Sequence, residues 1–185
     1  MSTSVEHDGA PECDRAPQLR ALPYDDSVAQ YLVERVQQEY VERYGGPDGA
    51  VVDPGEFLPP RGLFLVAEVD GVPAGCGAWR AFGDRVAEIK RVYVEPAFRR
   101  QGLAQLLMAA LERSASAAGH RSVVLNTGRR QPEALELYAR LGYRTVPGYG
   151  IYADAPDARF LGKDLVRAPA QAGAADGTEG PEWGS

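Results

Sequence analysis

The stretch that most restricts what this chain can become is Val92-Tyr93-Val94-Glu95-Pro96-Ala97-Phe98-Arg99-Arg100-Gln101-Gly102-Leu103-Ala104. An extended apolar run stops there at a proline, and a glycine-bearing turn opens a helix. A strand that feeds a helix start aims unpartnered backbone N–H groups outward, and the positive end of the helix dipole reinforces them. Such a turn is suited to hold a phosphate without a metal. Gly102 and Ala104 leave the backbone open to a bulky anion, and Arg99 and Arg100 bring positive charge to its mouth.

The surrounding chain reads as the elements needed to present that turn. Residues 18–22 are expected to form a short strand. Asp25 then caps a helix with Val28, Tyr31, Leu32 and Val36 on one face, and Gly45-Gly46-Pro47 ends it. Residues 48–60 carry Asp48, Asp53 and Glu56 among glycines and prolines, as either a binding loop or an acidic surface loop. Residues 62–69 and 72–81 form a hairpin about Asp70-Gly71, and residues 85–94 form the strand that enters the phosphate turn.

Beyond the turn, Leu103, Leu106, Leu107, Ala110 and Leu111 recur at helical spacing up to a stop at Gly119. Residues 122–126 are a short strand, parallel to 85–94 in a right-handed crossover. Pro132 opens another helix with Ala134, Leu137, Tyr138 and Leu141 on one stripe and Gly142 past its end. The chain returns as strand from Tyr143, and residues 160–166 form the last strand after a turn at Asp154-Ala155-Pro156-Asp157. Segments 1–16 and 168–185 lack periodicity and are expected to be disordered tails around one domain, residues 17–167.

With 185 residues, 44% of them hydrophobic, the chain can bury one real core. Its net charge of −6 argues against nucleic acid or an anionic membrane as partner. No apolar run reaches the roughly 18 residues of a membrane span, and the first residues show no basic segment followed by an apolar one, so neither membrane insertion nor export is expected. Cys13 and Cys76 stand far apart with no zinc-like spacing, so neither a disulfide framework nor a metal site is expected, and a cytoplasmic location fits.

In motif and in order of elements the chain resembles the GNAT superfamily of N-acetyltransferases, which use acetyl-coenzyme A. The resemblance rests on Val92-Tyr93-Val94-x-Pro96, on Arg99-x-x-Gly102-x-Ala104, and on Ala134-x-x-Leu137-Tyr138-x-x-x-Gly142-Tyr143. It spans about residues 18–167. One departure is Gln131, where the family often has Asn seven residues before the tyrosine. The resemblance implies an α/β fold: a mixed, mostly antiparallel sheet with a central splayed parallel strand pair and helices on both faces. It implies that Val92, Tyr93 and Val94 offer backbone groups to the acetyl and pantetheine arm, and that Arg99, Arg100, Gln101, Gly102, Leu103, Ala104 and Gln105 surround the pyrophosphate. Acetyl-coenzyme A would be a co-substrate, with no metal, and the protein a monomer or homodimer.

The chemistry says which side chains to seek. An amine attacks a thioester only when unprotonated, yet an alkylamine has a pKa of roughly 10, so a base or water relay is useful. Glu88 lies on the incoming strand and is the candidate base; alternatively it is a strand carboxylate paired with Lys90 or Arg91. Tyr138 is the candidate donor to the departing thiolate, or else a core tyrosine of its helix. Cys76, with no histidine nearby in sequence, reads as a buried structural thiol, and His120 as a surface residue in a turn. The acceptor is a primary amine of a small molecule or peptide; Asp48, Asp53 and Glu56 would suit a cationic one. The alternatives are a protein N-terminal or lysine acetyltransferase and a non-catalytic acyl-coenzyme A sensor.

Overall fold

The computed structural model describes residues 16–165. The expected tails, with His7, Cys13 and Trp183, fall outside the described residues, apart from Ala16. The elements follow in the order β1 (Gln18–Ala21), α1 (Ser27–Tyr44), β2 (Gly62–Val69), β3 (Val72–Gly83), β4 (Val86–Val94), α2 (Leu103–Ala117), β5 (Ser122–Gly128), α3 (Pro132–Arg140), β6 (Arg144–Thr145) and β7 (Ala158–Asp164). Short 3-10 turns occupy Pro54–Phe57, Pro96–Phe98 and Gly150–Tyr152.

All seven strands join one sheet in the order β1-β2-β3-β4-β5-β7-β6. Every neighbouring pair is antiparallel except β4 and β5. The β2–β3 turn has positive φ at both Asp70 and Gly71, the backbone that matches the twist of a two-residue hairpin. The return after α3 is shorter than the sequence suggests. Only Arg144 and Thr145 pair, at the far edge, because β7 takes the place beside β5.

The sheet is covered on both faces. On one, Leu107, Met108, Leu111 and Ala115 of α2 are fully buried against Ala87, Ile89, Val123 and Leu125, with Tyr138 and Tyr143 in the same core. Met108 and Ala115 thus join the stripe read from Leu103, Leu107 and Leu111, while Leu106 and Ala110 sit at its edge. On the other face, Ala29, Leu32, Val33 and Val36 of α1 pack on Phe64, Val66, Cys76, Ala78 and Tyr93. Asp26, not Asp25, caps α1: the turn closed by Asp26 N–H to Pro23 O puts Asp26 last before the helix, where its carboxylate accepts from Val28 N–H at 2.8 Å. Among the described residues no helix is long and apolar enough to cross a membrane.

Candidate active site

The pairing of β4 with β5 ends at Glu88 opposite Val124, although β4 continues to Val94 and β5 to Gly128. Two clefts open where the ladder stops. The larger, about 680 Å³, runs from Val92, Tyr93 and Val94 past Arg99, Arg100 and residues 102–105 to α3. The smaller, about 380 Å³, lies among the C-terminal turn of α1, residues 89–92, the end of β5 and the segment from Tyr152 to Ala158. Val92, Gln131, Ala134 and Tyr138 line both, so the clefts meet at these four residues.

A bulge in β4 shapes the junction. Cys76 is opposite Tyr93 and Ala78 opposite Lys90, so β4 carries one residue more than β3 over this span, and Arg91 takes φ of +58° to absorb it. Val92 and Val94 therefore return to the α2 face with Ala87 and Ile89, while Tyr93 turns to the α1 face. The Cys76 thiol donates to Arg91 O at 3.2 Å; its burial pushes its pKa up and marks it as a structural group. Lys90 and Arg91 both reach the wall of the smaller cleft.

The start of α2 has the makings of an anion site. Gly102 holds the N-cap at φ +81°, no side chain caps the helix, and no acid lies in its first turn. A Cβ at Gly102 would meet nothing within 4 Å, so the glycine serves the backbone angle and the space before it belongs to the cleft. The leading N–H groups of α2 have no intrahelical acceptors. Arg99 braces the turn, donating from Nε to Val94 O at 2.8 Å and from a terminal nitrogen to Glu39 at 2.7 Å. Arg100 lines the cleft with its side chain exposed. Gln101 is the exception among the expected residues, since its amide folds back to Ala97 O at 3.3 Å and does not line the cleft.

Tyr138 is 6% exposed at the meeting point of the clefts. Burial pushes the phenol pKa up, with the field of Tyr40 adding to it, so at neutral pH the hydroxyl keeps its proton and can donate. The Gln131 side chain accepts from the Thr127 hydroxyl at 3.1 Å and from Gly128 N–H at 3.3 Å, tying the start of α3 to the end of β5.

Glu88 does not reach either cleft. One of its oxygens accepts from Arg80 Nε at 2.9 Å and the other from Lys90 Nζ at 3.2 Å. Arg91 instead pairs with Asp48 across the fold. Burial works against the Arg91 charge, but the hydrogen bond and charge of Asp48 raise its pKa above the ordinary guanidinium value. Burial likewise opposes the Asp48 charge, and Arg91, Ala50 N–H and the Tyr152 hydroxyl overcome it, holding the carboxyl below its usual pKa. Of the other loop acids, Asp53 caps the turn at Gly55 N–H and Glu56 pairs with Arg80. His120 is half-buried against Trp79, ring centroids 5.2 Å apart, away from both clefts and more enclosed than a surface turn residue.

Sequence reasoning did not assign Tyr40, Tyr44, Asn126 or Tyr152 to the smaller cleft, nor Phe98 to the larger one. Their signal is position alone: Tyr40 and Tyr44 lie in the last turns of α1, Asn126 near the end of β5, and Phe98 and Tyr152 in short 3-10 turns.

The profile of the Acetyltransferase (GNAT) family matches residues 25–143. A protein of Azospirillum brasilense named IAA acetyltransferase is 30% identical over 147 residues, spanning 79% of this chain and 95% of the relative. A crystal structure from Klebsiella pneumoniae, described as a candidate acyl-CoA N-acyltransferase, superposes with a TM-score of 0.69 at 28% identity, over 81% of this chain and 98% of its own. The PaiA N-acetyltransferase of Thermoplasma acidophilum, solved in complex with coenzyme A, shares the fold at a TM-score of 0.60 and 16% identity, over 81% and 99% of the two chains.

Proposed function

Because this chain belongs to the acetyltransferase (GNAT) family, we propose that it transfers an acetyl group from acetyl-coenzyme A to a primary amine by direct attack in a ternary complex. The observation that carries the proposal is the meeting of an anion-suited cleft and a separate smaller cleft at Val92 and Tyr138. Pyrophosphate binds at the start of α2, and the thioester reaches the end of the parallel ladder. The amine enters from the other side. A volume of about 380 Å³ is within the range of small-molecule pockets, which favours a small amine over a folded protein as acceptor.

The amine nitrogen attacks the thioester carbonyl, forming the C–N bond, and the C–S bond breaks as the tetrahedral adduct collapses. Backbone N–H groups of β4 near Val92 steady the oxyanion. The Tyr138 hydroxyl donates its proton to the leaving sulfur, and the proton shed by the acylated nitrogen passes through water to restore the phenol, so the products are neutral amide and free thiol. Glu88 belongs to the site at one remove. Its pairing with Lys90 and Arg80 favours a role as the anchor that holds Lys90 at the cleft wall, and service as a base through water is the reading that a pH–rate profile tests.

The test of the whole proposal is thiol release from acetyl-coenzyme A in the presence of a panel of amines. Amine-dependent release, with formation of the acetylated amine, supports it. Tight binding of acetyl-coenzyme A without turnover on any amine would identify a sensor instead.

A further inference from the structure

We infer that the amine acceptor carries a carboxylate, and that the buried guanidinium of Arg91 receives it. The inference rests on the acetyl-transfer reading and deepens it. Arg91 is 5% exposed, lines the smaller cleft, and is held by Asp48 through one terminal nitrogen and by the Tyr24 side chain. Its Nε–H is buried with no partner. A charged donor enclosed without an acceptor is costly, and this one belongs to a residue at a cleft wall, where a ligand can complete it. Lys90 stands beside it on the same wall with one carboxylate contact, to Glu88, for its three donors.

The acids of the cleft are in the opposite condition. Asp48 accepts from Ala50 N–H at 3.0 Å, from the Tyr152 hydroxyl at 2.7 Å and from Arg91. Asp157 is held by Arg129 at 2.9 Å and by Arg130 at 3.8 Å. The carboxylates that could attract a cationic acceptor are thus taken, whereas Arg91 beyond its pair with Asp48, and Lys90 beyond its pair with Glu88, keep donors that an anionic one could use. A planar carboxylate matches the fork of a guanidinium, so an amino acid seated on Arg91 would be fixed in orientation as well as bound.

The experiment compares matched acceptors: a series of amino acids with the amine at varied distance from the carboxylate, each set against its primary amide and its decarboxylated amine. Thiol release gives kcat/KM for each. The carboxylate form is expected to exceed both counterparts by about 10- to 100-fold, the range for a charge-assisted hydrogen bond. In the double variant Arg91→Gln, Asp48→Asn, which removes both buried charges together, that preference should vanish through a rise in KM, while calorimetric affinity for acetyl-coenzyme A holds. Amides or plain amines used as well as the acids would overturn the carboxylate inference and leave acetyl transfer standing, as would a preference that survives in the double variant. Thiol release with polyamines or peptides alone overturns it in the same way. Absence of release with every amine overturns both readings.

Discussion

Replacing Tyr138 with Phe removes one oxygen from the junction of the clefts and leaves the ring that packs on Tyr143, at 5.6 Å between centroids. Acetyl-coenzyme A affinity should therefore hold while kcat falls by about 10². A Phe variant of full speed, measured by thiol release, would return Tyr138 to a core role. Glu88→Gln is expected to raise KM for the acceptor at every pH, because Lys90 loses its anchor. Recovery of kcat/KM at high pH, where the amine is already neutral, would instead make Glu88 the base. These two residues differ in how far the sequence reveals them. Tyr138 is legible because its helix is regular and its stripe points to one face. Glu88 reads from the sequence as the candidate base, with pairing to Lys90 or Arg91 as the alternative, and in the fold it holds Lys90 together with Arg80, its opposite number on β3. Arg91 is lost to Asp48, 43 residues earlier, because the bulge breaks the alternation on which a strand reading depends. Long-range pairs of this kind leave no local pattern.

Among the elements, the start of α2 invites the sharpest test. Gly102→Glu should abolish acetyl-coenzyme A binding in calorimetry, whereas Gly102→Gln, equally strained at φ +81°, should retain part of it. Equal losses in both would mean that backbone strain, not charge, is responsible. The element boundaries explain what could be read in advance. Asp70-Gly71, Gly45 and Gly142 each sit at the positive φ their turn demands, so the sequence marks those ends within a residue or two. The place of β7 between β5 and β6 is set by tertiary pairing and by nothing local, as is the point where β4 and β5 part. The 3-10 turn at Pro54–Phe57, hidden in an irregular acidic stretch, forms because Phe57 is buried against Tyr24, ring centroids 5.1 Å apart. Its fate depends on a partner more than thirty residues away in the chain.

At the scale of the whole molecule, ligand binding should register as stability. Acetyl-coenzyme A at about 100 times its Kd stabilises the folded chain by about 2.7 kcal/mol, which for a domain of this size corresponds to a rise in Tm of roughly 5–10 °C. Scanning calorimetry with and without the ligand measures it, and an unchanged Tm at saturation would contradict specific binding. The two clefts also draw on different parts of the chain. The larger is centred on residues 92–105 and α3, while the smaller alone takes wall residues from the turn after α1 and from the segment before β7, joined where Gly49 N–H and the Tyr152 hydroxyl meet at 2.8 Å. Random mutation confined to residues 45–53 and 146–157 would thus sample new acceptor choices on an untouched acyl-donor half. A laboratory lineage, like a natural one, could change its diet without relearning how to eat.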